Sequence, residues 1–155
     1  MKIFRFLLVV ASAVNLIAFA VPNTAAQADD EYEIFRLVNN ERSRSRLGSL
    51  EWDDELAHIA RRYSRQMARE GFFSHHDRDG RSVVERAEKA RWSSIGENLF
   101  MCEGMDDFTA FSVRGWMKSP SHRKNILTRE WTDTGIGVYR TRDDRIYVTQ
   151  VFVRR

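Results

Sequence analysis

Cysteine occurs once in the 155 residues, at Cys102, so no internal disulfide can form and a small exported domain must rely on packing instead. That thiol is expected to be a buried apolar filler. With no cysteine near the apolar N-terminal segment, a diacylglycerol anchor of the lipoprotein type is excluded. The chain also lacks the H-E-x-x-H helix of a zinc protease and the G-x-S-x-G elbow of a serine hydrolase. Internal repeats, low-complexity stretches and a second domain are absent from the pattern. Nor is charge of one sign in excess: Arg42, Arg44, Arg46, Arg61 and Arg62 are interleaved with Asp53, Asp54 and Glu55, which describes a solvated mixed-charge surface.

What is present begins with export. Lys2 and Arg5 precede an apolar run from Phe6 to Val21, and a small-residue stretch follows that ends Ala26-Gln27-Ala28, the order of a secretory signal. The run of about 16 residues is shorter than the roughly 20 that span a bilayer. The expectation is a signal peptide over residues 1–28, cut after Ala28 with Ala18-Phe19-Ala20 as the second choice, and one domain over residues 29–155. Cleavage leaves 127 residues and removes two of the 25 basic side chains but none of the 22 acidic ones, for a net charge of +1. The mature protein is therefore expected to be secreted, extracellular or periplasmic, with no stable transmembrane anchor and no nucleic-acid partner.

Apolar residues Ile34, Phe35, Leu37 and Val38 recur with helical period between Asp30 and Leu47, and Gly48 stops them. Asp53 is placed to cap a second helix from about Asp54 to Glu70, carrying the stripe Leu56, Ala60, Tyr63 and Met67 and ending at Gly71. Ser82 and Glu85 have the spacing of a capping box, which predicts a short third helix to about Ala90. Asp106 or Asp107 can cap a fourth, with Phe108, Phe111, Trp116 and Met117 as its core face. Ser119-Pro120 begins a fifth, Ser119 as cap and Pro120 at the first helical position. The period then changes to two: Ile136 and Val138, then Ile146, Val148, Gln150 and Phe152, flank the polar turn Thr141–Asp144 of an antiparallel hairpin. A further strand is expected around Glu97–Phe100. Trp92, Phe100, Met101, Met105 and Trp131 fit either a core or an exposed apolar rim.

The four histidines have unequal claims. His58 lies about 200° from Leu56 around the second helix, on its solvent side. His75 and His76 sit in a loop between Gly71 and Gly80, where a scaffold commonly displays functional groups. His122 falls in the first turn of a helix, whose dipole favours a bound anion. Glu97, between Gly96 and Asn98 on the expected strand, needs a partner: an arginine, or the two histidines. Two imidazoles and a carboxylate form the ligand set of several open zinc sites.

Read in order, Leu50-Glu51-Trp52-Asp53, Phe73-Ser74-His75 with Gly80, Gly96-Glu97-Asn98, Trp116, Ser119-Pro120-Ser121-His122-Arg123-Lys124-Asn125-Ile126-Leu127, Gly135-Ile136-Gly137-Val138 and Tyr147-Val148-Thr149-Gln150-Val151-Phe152 resemble the signature blocks of the CAP superfamily, also called SCP-like, in its short bacterial branch. The resemblance covers essentially all of residues 29–155. It implies an α/β fold, a three-layer α-β-α sandwich with a central, mainly antiparallel sheet. It also implies an open cleft whose first His is His75, whose Glu is Glu97 and whose second His is His122, with His76 as the neighbour that one residue of slippage would substitute. Many eukaryotic members carry a second Glu three residues after the Trp; here that residue is Ser119, as in many bacterial relatives, which removes one anionic ligand and lowers the expected affinity for Zn²⁺.

Two functions follow from the resemblance. One is a secreted binding module whose cleft, His75, Glu97 and His122, takes a divalent metal such as Zn²⁺, a small or lipid-like ligand, or a cell-envelope or protein partner. The other is a metal-assisted hydrolase, a peptidase or esterase, in which His75 and His122 hold the ion and Glu97 is the general base. A serine nucleophile at Ser121 beside His122 is geometrically poor, since neighbours on a helical turn do not face each other.

Overall fold

The computed structural model describes residues 24–155, and most of the expected signal segment, residues 1–23, lies outside them. The elements are α1 (Thr24–Arg44), β1 (Glu51–Trp52), α2 (Asp54–Glu70), α3 (Val83–Arg86), β2 (Ser94–Glu103), α4 (Phe108–Lys118), α5 (Pro120–Leu127), β3 (Asp133–Arg140) and β4 (Arg145–Arg154). The strands make one sheet in the order β1-β3-β4-β2, antiparallel except where the two residues of β1 pair in parallel with β3.

Alternation along β4 builds the middle layer. Ile146, Val148 and Phe152 point to one face, where they meet Ile34 and Val38 of α1 and Phe108 and Trp116 of α4. Val151 and Val153 point to the other, against Leu56, Ile59 and Ala60 of α2. Helices thus cover both faces, and the fold is the expected α-β-α sandwich.

On the α2 side the approach is unusually close. A Cβ placed on Gly135 would lie 2.1 Å from the backbone N of Ala57, and one on Gly137 would lie 2.0 Å from that of Arg61. Two residues of strand advance about 6.8 Å and four residues of helix about 6 Å, so a G-x-G pair on β3 matches one turn of a helix running alongside it. α2 itself is defined at both ends. Asp53 Oδ1 accepts the Leu56 N–H at 2.8 Å, and Gly71, at φ 64°, donates its N–H to Met67 O.

Several details differ from expectation. α1 starts at Thr24, not Asp30, so Ala28 lies within it; from the same helix Glu31, fully buried, accepts three bonds from Arg61 Nε and Nη2 and one from the Val138 N–H. α3 stops at Arg86 rather than near Ala90: beyond it the Glu88 and Ala90 N–H groups turn back three residues, to Glu85 O and Ala87 O, instead of four, and the Trp92 indole N–H shares Ala87 O at 2.9 Å. Asp107 and Ser119 occupy N-cap positions but neither side chain makes the capping bond; the Ser119 hydroxyl faces that of Ser121 at 3.4 Å. Of the aromatic and Met residues that could have formed a rim, Met101 is exposed, whereas Phe100, Met105, Trp131 and Trp92 pack on the cores, as does the half-buried Cys102.

Candidate functional site

β2 is an edge strand, and its successive side chains leave on opposite faces. Glu97 turns toward the α2 layer and Asn98 toward the α5 layer. The loop that follows α2 therefore reaches Glu97 from one side while α5 reaches Asn98 from the other, and the site wraps the rim of the sheet.

On the α2 side, His75 Nδ1 lies 2.8 Å from Glu97 Oε1 and Arg86 Nη2 lies 2.5 Å from Glu97 Oε2. The Glu97 and Arg86 side chains are 3 % and 7 % exposed, while that of His75 is 52 % exposed. A carboxylate can only accept, so the imidazole donates from Nδ1, and in the neutral form of the ring the lone pair falls on Nε2. Both demands on Glu97 raised by the sequence, an arginine or a histidine, are met together.

On the α5 side, Asn98 Nδ2 donates to His122 O at 3.2 Å, and Asn125 Nδ2 donates to Asn98 Oδ1 at 2.9 Å and to Glu97 O at 3.0 Å. The Trp131 indole N–H caps Asn125 O at 2.9 Å. Gly96 makes room for that indole, since a Cβ there would stand 3.0 Å from its ring. This lattice sets the first turn of α5 against the strand and so fixes where His122 begins. Burial first, and then the charge of His75, hold the His122 imidazole below its ordinary pKa of 6.5. The ring is neutral at pH 7, with a lone pair to offer.

His75 and Glu97 are in contact, and His122 lies within electrostatic range of His75. His76 is exposed and engages Ser74 Oγ only through its backbone N–H, at 3.0 Å. Ser119 bonds to neither histidine, and His58 is exposed on α2. Among the described residues no group of three or more His, Cys, Asp or Glu side chains is arranged to hold a metal ion. Sequence reasoning missed Arg86 and the Tyr63 ring beneath it; the capping box locates α3, but nothing in it says that the last residue is buried. A cavity of about 420 Å³ adjoins that pair on α2, lined also by His58, Arg62, Gln66 and Arg81.

Three layers with a His/Glu site at the sheet rim define an SCP-type sandwich. The model of the Cysteine-rich secretory protein family, CAP, matches residues 35–152, and the chain belongs to that family. It is 34 % identical over 131 residues to the uncharacterized membrane protein YlbC of Bacillus subtilis, covering 83 % of this chain and 36 % of that protein. To the uncharacterized protein YkwD of the same organism it is 29 % identical over 109 residues, 69 % of this chain and 41 % of the other. The chain thus spans well under half the length of these relatives. Among solved structures, an extracellular protein containing an SCP domain from Bacillus anthracis superposes with a TM-score of 0.76 at 32 % identity, covering 87 % of this chain and 44 % of that one. An outer surface protein from Borrelia burgdorferi shares the fold, with a TM-score of 0.70 at 21 % identity over 82 % of this chain and 93 % of that one. Among the described residues no helix is long and apolar enough to cross a membrane.

Proposed function

We propose that the chain is an exported binding module whose site presents the imidazoles of His75 and His122 to a divalent ion or a small ligand, with Glu97 as the carboxylate behind His75. The observation that supports binding over hydrolysis is the state of Glu97. One of its oxygens faces His75, the other faces Arg86, and the side chain is 3 % exposed. A general base must reach the proton that it takes, directly or through one water, and this carboxylate has no oxygen turned to the solvent. The donor set suits a divalent ion as two imidazoles with an outer carboxylate, an arrangement in which the carboxylate orients a ligand rather than serving as one. When bound, such an ion would supply open positions for a ligand or water.

Calorimetric titration of the protein with Zn²⁺ at pH 7 tests this reading. One ion per chain is expected, with binding lost in both His75→Ala and His122→Ala and weakened by about 10- to 100-fold in Glu97→Gln. A folded wild-type protein that takes up no Zn²⁺ would overturn the metal reading and direct the search to lipid and envelope ligands. Hydrolysis of peptide or ester substrates that requires Glu97 would overturn the binding reading in favour of the hydrolase.

A further inference from the structure

Arg86 closes α3, a helix of four residues whose start is fixed by the Ser82–Glu85 capping box. Besides the bond from Nη2 to Glu97, its Nη1 donates to Arg81 O at 2.8 Å and to His75 O at 3.1 Å. Arg86 and its partner Glu97 each also bond to His75. Arg86 holds His75 by its backbone carbonyl and Glu97 holds it by its imidazole, so Arg86, Glu97 and His75 form a closed cycle of hydrogen bonds. The guanidinium carbon lies 3.3 Å from the centroid of the Tyr63 ring, and the Tyr63 hydroxyl donates to Ser74 O at 2.6 Å. The carbonyls of Ser74 and His75 are therefore both tied to one stacked pair. Burial pushes the Tyr63 phenol up to about 12, so it remains a neutral donor.

Arg86 Nε is buried without a protein partner. An ion pair serving stability alone would bring that donor to an acceptor, because a buried unpaired N–H is expensive. The guanidinium is instead placed where its outer nitrogens meet Glu97 and the His75 backbone together.

We infer that Arg86 is the positioning residue of this site: by fixing Glu97 and the His75 backbone, it holds His75 in one tautomer, with the proton on Nδ1 and Nε2 presented to the ligand. This deepens the binding function proposed above and rests on His75 being one of its presenting groups. A lysine would keep the charge but not the function. An ammonium cannot lie flat on Tyr63 while its donors reach a carboxylate and two carbonyls in fixed directions.

The experiment is a long-range ¹H–¹⁵N imidazole spectrum of the metal-free protein labelled with ¹⁵N-histidine, at a pH where His75 is neutral. In the wild type, His75 is expected to carry its proton on Nδ1. In Arg86→Gln and Arg86→Lys, that majority is expected to be lost to the Nε2–H form, while backbone amide signals outside residues 74–97 and the turn of α2 around Tyr63 stay in place. A structural staple would move stability without moving the tautomer. The inference is overturned if the wild-type ring is protonated on Nε2, or if Arg86→Lys keeps the wild-type tautomer. Should Arg86→Gln not fold, Arg86→Lys and the wild-type spectrum decide between them. Zn²⁺ calorimetry separates this inference from the function beneath it: a wild type with His75 protonated on Nδ1 that binds no Zn²⁺ defeats the metal reading and leaves the positioning role standing.

Discussion

At the seam between α2 and β3, Gly135 and Gly137 remove side chains so that backbone meets backbone, with the Ser64 hydroxyl bonded to Gly137 O at 2.9 Å. At the rim of β2 the opposite holds. Glu97, Asn98 and Asn125 fill the space with side-chain hydrogen bonds, and Asn125 and Trp116 donate to the backbone carbonyls of Glu97 and Leu99. The seam tolerates no added atom because nothing there can move aside. The rim tolerates a changed atom only if the proton count and the direction of each bond are kept. Shape governs the first and charge the second, and His75 and Glu97 belong to the second.

Gly137→Ala would break the seam outright. Its Cβ would stand 2.0 Å from the Arg61 backbone nitrogen, and neither helix nor strand can withdraw without uncovering core. A loss of more than about 3 kcal/mol is expected, read from the chemical-denaturation midpoint. A variant melting within a few degrees of wild type would show that α2 is free to slide.

Glu97→Gln at the rim is expected to lose less, about 2 kcal/mol, because the amide keeps the shape but leaves the Arg86 charge unpaired. Cooperative unfolding should persist in this variant, and a near-zero change would mean that Arg86 finds another acceptor.

The smallest effect sharpens the comparison by pH. The His122 pKa is held below 6.5 in the folded chain, so the unfolded chain binds more protons as the pH falls. The stability associated with a neutral His122 is present in full above pH 6.5 and is lost as the pH falls through the lower folded value. His122→Ala should flatten that part of the stability profile, whereas the seam variant should leave its slope unchanged. An identical slope in His122→Ala would assign the dependence to other groups.

Much of the seam's helix was legible in the sequence, since a cap at Asp53, an apolar stripe and a terminal glycine are local signals that need no knowledge of the partner. The capping box at Ser82 was legible for the same reason. Gly135 and Gly137 were visible as part of a family block, but their closeness to α2 depends on the match between strand and helix rise, which only the assembled layers reveal. At the rim, His75, Glu97 and His122 were named by the resemblance, and Asn98 and Asn125 stood within its blocks without a role. Arg86 could not be distinguished from the other basic side chains, because burial of an arginine leaves no trace in its neighbours along the chain. Glu31 was hidden likewise: it reads as one more polar position on an amphipathic helix, although Arg61 and the Val138 N–H surround it.

The strand order has a consequence for how the molecule is made. β4, the last element in chain order, lies in the middle of the sheet, between β3 and β2, and β1 finds its partner about eighty residues downstream. As the chain leaves the ribosome, helices α1 and α2 can form and even touch, yet no two of the longer strands have a common neighbour until Arg145–Arg154 appears. Assembly of the sheet is therefore committed only once β4 has been made, and a polypeptide halted before β4 would hold its longer strands with no common neighbour to join them.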